Sequence, residues 1–109
     1  MRQQLRQGDV FLMPATRPDG RLTEEGAEGG RVILAHGEAT GHVHAVSSAR
    51  ARAWRTADER CFLEVRRSIG LGAQLLHDEH FPVALDEGWY EIVRQREYVP
   101  AALPRTVTD

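Results

Sequence analysis

Lysine and asparagine are absent from this chain of 109 residues, and cysteine occurs once, at Cys61. A single thiol cannot close an internal disulfide, so the fold has to rest on a hydrophobic core rather than on cross-links. Long apolar runs are missing too. The longest, Val10-Phe11-Leu12-Met13 and Val32-Ile33-Leu34-Ala35, fall far short of the roughly 20 residues that a spanning helix needs. The first residues, MRQQLRQGD, hold no apolar stretch of the signal-peptide kind. These absences speak against a helical membrane protein and a secreted disulfide scaffold, and they make the cytoplasm the expected location. No charge sign dominates, since the formal net charge is −2. A global basic field that would advertise nucleic-acid binding is therefore lacking. All 14 basic residues are arginine, a pattern that GC-rich coding explains as well as function does.

What is present is the composition of a soluble globular domain, 41% hydrophobic and 28% charged, in a chain sized for one domain. Nothing in it excludes a homo-oligomer. Glycine and proline punctuate the chain densely, at Gly8, Pro14, Pro18-Asp19-Gly20, Gly29-Gly30, Gly37, Gly41, Gly70, Gly72, Pro82 and Gly88 among others. Short segments of strand character lie between these marks: Val10 to Met13, Arg31 to His36, His42 to Ser47, Arg50 to Thr56, Cys61 to Arg66, Ala73 to His77, Val83 to Leu85 and Trp89 to Val99. None keeps a helical period over the 10 to 12 or so residues that a helix requires. The best helix candidate, Ala45 to Glu59, is rich in alanine and arginine and reads equally as a loop followed by a strand. About eight short strands predict an all-β fold, a small single-domain β-barrel or sandwich over residues 1–109. Any helix is confined to a turn or two near Ala49 to Arg60. Thr23 to Gly30 (TEEGAEGG) reads as a mobile acidic loop, and residues 101–109 as a flexible tail.

The five histidines fall in two short stretches. His36, His42 and His44 belong to a string that reads as a hairpin closed by Gly37 to Gly41. In the simplest register His36 faces His42 and Leu34 faces His44, so three imidazoles converge at one end of an apolar face. A bulge would break this convergence. The second stretch, His77-Asp78-Glu79-His80, has a spacing of three that no straight strand puts on one face, and it suits a turn or kink near Pro82. Any one histidine is ordinarily structural. Two clusters with interspersed carboxylates are instead the ligand types of Zn, Mn, Fe or Ni. Glu38 and Glu79 are the candidate general bases, although a solvated turn position is the ordinary role of Glu38.

In Trp89 to Val99, alternation puts Tyr90, Ile92, Arg94, Arg96 and Tyr98 on one face. Arginines interleaved with tyrosines can hold phosphates while rings stack on bases. The plainer reading is an amphipathic edge strand with solvated arginines.

His42-Val43-His44, followed by Pro82 to Tyr90, resembles a degenerate form of the cupin motifs. That resemblance implies a double-stranded β-helix barrel with a metal on a His-x-His pair, a Glu and a later His. No Glu follows His44 at three or four residues, and the later histidine would fall near Tyr90 or Ile92. The strings GEATGHVH, HDEHFPVALDEGWY and VRQREY also resemble a small bacterial domain family without assigned function. It implies no reaction.

The residues point first to a metal-binding β-domain with hydrolytic chemistry. His42 and His44 are the expected core ligands, and His36, His77 or His80 complete the site. Glu38 or Glu79 would act as base on a phosphoester or other small substrate, with an iron oxygenase as a subsidiary version. A second reading is a metal-free ribonuclease with two histidines as acid and base and Arg94 and Arg96 on the phosphate. A third is a binding module whose histidines are structural. The expected partners are a small phosphorylated molecule or single-stranded RNA.

Overall fold

In a computed structural model of the chain, residues 3–36, 43–66, 73–77 and 80–94 are described. They form ten strands: β1 Leu5–Gln7, β2 Val10–Ala15, β3 Leu22–Glu25, β4 Arg31–His36, β5 Val43–Ser47, β6 Ala51–Thr56, β7 Cys61–Val65, β8 Ala73–His77, β9 His80–Leu85 and β10 Gly88–Arg94. No helix occurs among the described residues, so none there is long enough to cross a membrane. The strands build two antiparallel sheets. One is six-stranded in the order β1-β2-β10-β7-β6-β3, and the other four-stranded in the order β4-β5-β8-β9.

Alternation explains which faces meet. Val10 and Leu12 of β2, Leu63 and Val65 of β7, and Tyr90 and Ile92 of β10 turn inward from the larger sheet. Val32, Leu34, Val46, Leu75 and Leu85 meet them from the smaller one, giving a single apolar cluster between the sheets. The all-β expectation holds, as a two-sheet sandwich and not a closed barrel. The double-stranded barrel implied by the cupin resemblance is accordingly not found.

Three segments bear on the local expectations. Of the two readings of Ala45 to Glu59 the loop followed by a strand holds, because Ala51 and Ala53 pair with Val65 and Leu63 of β7 and face the core at period two. Thr23 to Glu25, assigned to an acidic loop, lies in β3, whose Glu24 and Glu25 pair with Trp54 and Ala53. Leu5–Gln7, unassigned from sequence, is the first arm of a hairpin in which Gln7 faces Val10 across Gly8-Asp9. Gly8 adopts φ 60°, as a two-residue turn with glycine at its first central position requires.

Candidate functional site: a buried histidine where the sheets are bridged

The β4–β5 ladder begins in the register expected from the glycine loop, with Arg31 opposite Ser47, Val32 opposite Val46 and Ile33 opposite Ala45. Between Ile33 and Ala35 it shifts by one residue, so Ala35 stands opposite His44 and His36 opposite Val43. Leu34 is the extra residue. The expected pairings of Leu34 with His44 and His36 with His42 are therefore corrected, and so is the single face on which His36 and His44 were to converge. A one-residue slip resets the alternation of faces. A bulge also takes a carbonyl out of the ladder, and a buried carbonyl needs a donor. Leu34 is 1% exposed, and Arg94 of the opposite sheet donates from Nε to its oxygen at 2.7 Å.

The two histidine stretches do meet. Ala45 of β5 pairs with Leu76 of β8, which brings the neighbouring His44 and His77 together. Their ring centroids are 4.3 Å apart at an interplanar angle of 36°. His80 lies opposite His77 in the β8–β9 ladder, so the spacing of three is that of a hairpin. Pro82, two positions beyond His80, is an exposed residue of β9, an outer strand of the smaller sheet.

His44 is only 2% exposed, and its surroundings place a proton on one of its ring nitrogens. Gln7, also 2% exposed, donates from Nε2 to the carbonyl of Leu75 at 2.9 Å. Its Oε1 consequently faces His44 Nδ1, 2.8 Å away. An amide oxygen accepts only, so Nδ1 carries the proton and donates. Nε2 is then the nitrogen turned towards Asp9, whose Oδ1 lies 3.6 Å from it. Sequence reasoning placed Asp9 only in a turn and passed over Gln7 altogether. The glycine-aspartate dipeptide was the available signal for a hairpin, and no pattern marks Gln7 as buried.

The arginine and tyrosine face is different from its expectation. β10 lies between β2 and β7, so it is an interior strand, which also corrects the edge-strand reading. Tyr90 is 1% exposed in the core and donates its hydroxyl to the Asp86 carbonyl at 2.9 Å, so it cannot stack on a base. Arg94 is part-buried and bridges the sheets at the bulge. The strand thus does adjoin the histidine region, through Arg94 and Leu34, but its tyrosine faces inward. Glu91, on the other face, pairs with Arg60 through two contacts of 3.1 and 2.8 Å.

Glu38, His42, Glu79, Arg96 and Tyr98 lie outside the described residues, and His36 and His80 are placed here by backbone register alone. Among the described residues no group of three or more His, Cys, Asp or Glu is assembled to hold a metal ion. They contribute instead the His44–His77 pair with Asp9 beside it. Residues 6–95 match the family described as Domain of unknown function (DUF8820). The chain belongs to that family. This DUF8820 match takes in both histidine stretches, Gln7, Asp9 and Arg94. No curated protein and no solved structure matches the chain.

Proposed function

We propose that this domain binds a divalent transition metal through His44 and His77 and uses it for hydrolytic chemistry on a phosphoester or nucleic-acid substrate. The observation that carries this reading is the meeting of two distant histidines at 4.3 Å, one with its tautomer set by a buried amide. Metal-ligating histidines donate the other ring N–H to an acceptor that orients them, and Gln7 Oε1 has that place here. Two nitrogens on bonds of about 2.0–2.1 Å to one ion lie roughly 3 to 4 Å apart, a separation within reach of rings this close. Further ligands would come from His42 and His80, with Glu38 and Glu79 as candidate bases; His36, paired with Val43, lies on the other face of the ladder from His44.

Burial separates this reading from metal-free cleavage of RNA. An imidazole that takes a proton directly from substrate must present its nitrogen to that substrate. His44, at 2% exposed, is enclosed, which suits a ligand and not a base of that kind. When bound, such a metal lowers the pKa of a coordinated water and supplies a nucleophile at neutral pH. A second reading, a binding module with structural histidines, is favoured by the same Gln7–His44 bond, which also satisfies buried polar atoms.

Metal analysis of the purified, untagged protein tests the choice. About one transition metal per chain is expected in the natural protein, with binding lost in His44→Ala and His77→Ala. A protein that stays metal-free, with a melt unmoved by chelator or by added zinc, manganese, iron(II) or nickel, would leave the binding module.

A further inference from the structure

The two sheets differ in what they turn outward. The outer side of the six-stranded sheet carries Arg52, Glu24, Glu64 and Glu91, with Arg52 paired to Glu24 and Arg60 to Glu91. On the four-stranded sheet Ile33, Ala45, Ser47, Gln74, Leu76 and Ala84 alternate with the buried residues and so share the outer side. Arg31, at one corner, is the only charged side chain among those described there. Leu76 is 44% exposed and is the exposed large hydrophobic of the described residues. In a chain that is 28% charged, such a face has the composition of an interface core, from which charge is depleted.

We propose that this face docks a second copy of the chain in a reversible two-fold dimer, an inference independent of the metal reading. Shape is the first support. In the β5–β8 ladder Ala45 stands opposite Leu76, and Ala45 is 3% exposed, a low point between Ile33 and Leu76. A two-fold axis running between these strands lays β5 of one copy over β8 of the other. It seats each Leu76 over Ala45 of the second copy, and each Gln74 over Ser47, two residues along. The patch complements itself, apolar against apolar and amide against hydroxyl. Charge is the second support. A neutral face excludes a charged partner, which would lose water without gaining a counter-charge. The outer side of the six-stranded sheet fails that condition, and the same face of another copy meets it. Size sets the strength. Four strands of five or six residues span roughly 19 by 18 Å, which belongs with transient contacts rather than obligate ones. Ala45 and Leu76 are also the chain neighbours of His44 and His77, so a second copy backs the strand pair that joins the two imidazoles.

Sedimentation equilibrium of the natural chain, Leu76→Glu and Leu76→Met tests this from micromolar to near-millimolar concentration. Chelator is present throughout, so that no shared ion bridges two copies. The natural chain should pass from monomer to dimer across this range. Leu76→Glu should raise the dissociation constant by about 100-fold or more, since the carboxylate enters the interface twice. Leu76→Met, close in volume, should stay within about tenfold. At low concentration Leu76→Glu should keep the natural urea midpoint, because Leu76 is 44% exposed in the single chain, and this separates lost association from misfolding. A natural chain that stays monomeric, or an assembly that Leu76→Glu leaves intact, overturns the proposal. So does a monomer whose urea midpoint falls in Leu76→Glu, since the face would then be covered from within one chain.

Discussion

Replacing Gln7 by leucine removes two buried hydrogen bonds at nearly constant volume. Gln7 Nε2 no longer reaches the Leu75 carbonyl, and His44 Nδ1–H loses its acceptor. A buried donor left unsatisfied costs about 1–3 kcal/mol, while the loss at a carbonyl with a second lone pair is nearer 0.5–1.5 kcal/mol. The expected destabilisation is therefore about 3 kcal/mol. In a domain of this size that lowers Tm by roughly 12–24 °C. The sharper measurement is a double-mutant cycle with His44→Leu, because each single change strands one partner whereas the double change strands neither. The double variant should be less destabilised than the sum of the singles, by about 1–3 kcal/mol. Urea unfolding followed by the fluorescence of Trp54 and Trp89, in chelator so that no metal contributes, gives the three values. Additivity within about 0.5 kcal/mol would refute the Gln7–His44 bond and the tautomer deduced from it.

Two further predictions use the same assay. Arg94→Leu should cost about 1.5–3 kcal/mol, because a charged donor leaves the bulge carbonyl of Leu34, and Arg94→Lys, which has no Nε–H, should not restore it. A loss below about 0.5 kcal/mol would mean that water serves that carbonyl equally well. Asp58 is held below the ordinary carboxylate range, chiefly by the hydroxyl of Thr56. A depressed folded-state pKa contributes stability above the unfolded value, and this is lost as pH falls through the folded one. The gap in urea midpoint between the natural protein and Asp58→Asn should therefore be constant from about pH 8 to 5 and close below about pH 4, and a gap persisting at about pH 2 would contradict it.

The strands that sequence revealed are those that place side chains on the core at every second position. Ala73–His77 agrees with its expected bounds for this reason, and Arg31–His36 agrees as well although its bulge breaks the alternation at Leu34 and Ala35. Leu5–Gln7 has a single apolar residue, and Leu22–Glu25 carries two glutamates at the outer edge of its sheet. An edge strand satisfies one row of backbone groups and need not bury a face, so its pattern carries little signal. Ala51–Thr56 reads as a strand and is one, although its composition also leaves a helix open. Alanine and arginine favour helix intrinsically, yet pairing on both sides, with β3 and with β7, decides the conformation.

The site was legible where it depended on hairpin spacing and on the clustering of the histidines, whose two stretches meet at His44 and His77. His77 and His80 three apart indicated a turn, and they stand opposite each other. The convergence expected of His36 with His44 failed for a reason that period-two reading cannot see. A strand with Leu34 as an inserted residue has almost the same hydrophobic sequence as one without it, because Leu34 and Ala35 are both buried. What tolerates the bulge lies 60 positions away, in the guanidinium that takes the Leu34 carbonyl. Gln7 acts in the same way on the Leu75 carbonyl, 68 positions away. Both bonds run from the six-stranded sheet to the four-stranded one. The imidazole whose Nδ1 meets Gln7 is thus held where polar side chains, and not apolar packing alone, join the layers. Removing those side chains would leave buried polar atoms without partners. Two polar side chains from one sheet reach carbonyls of the other at this seam, and no residue pattern along a single strand could have announced it.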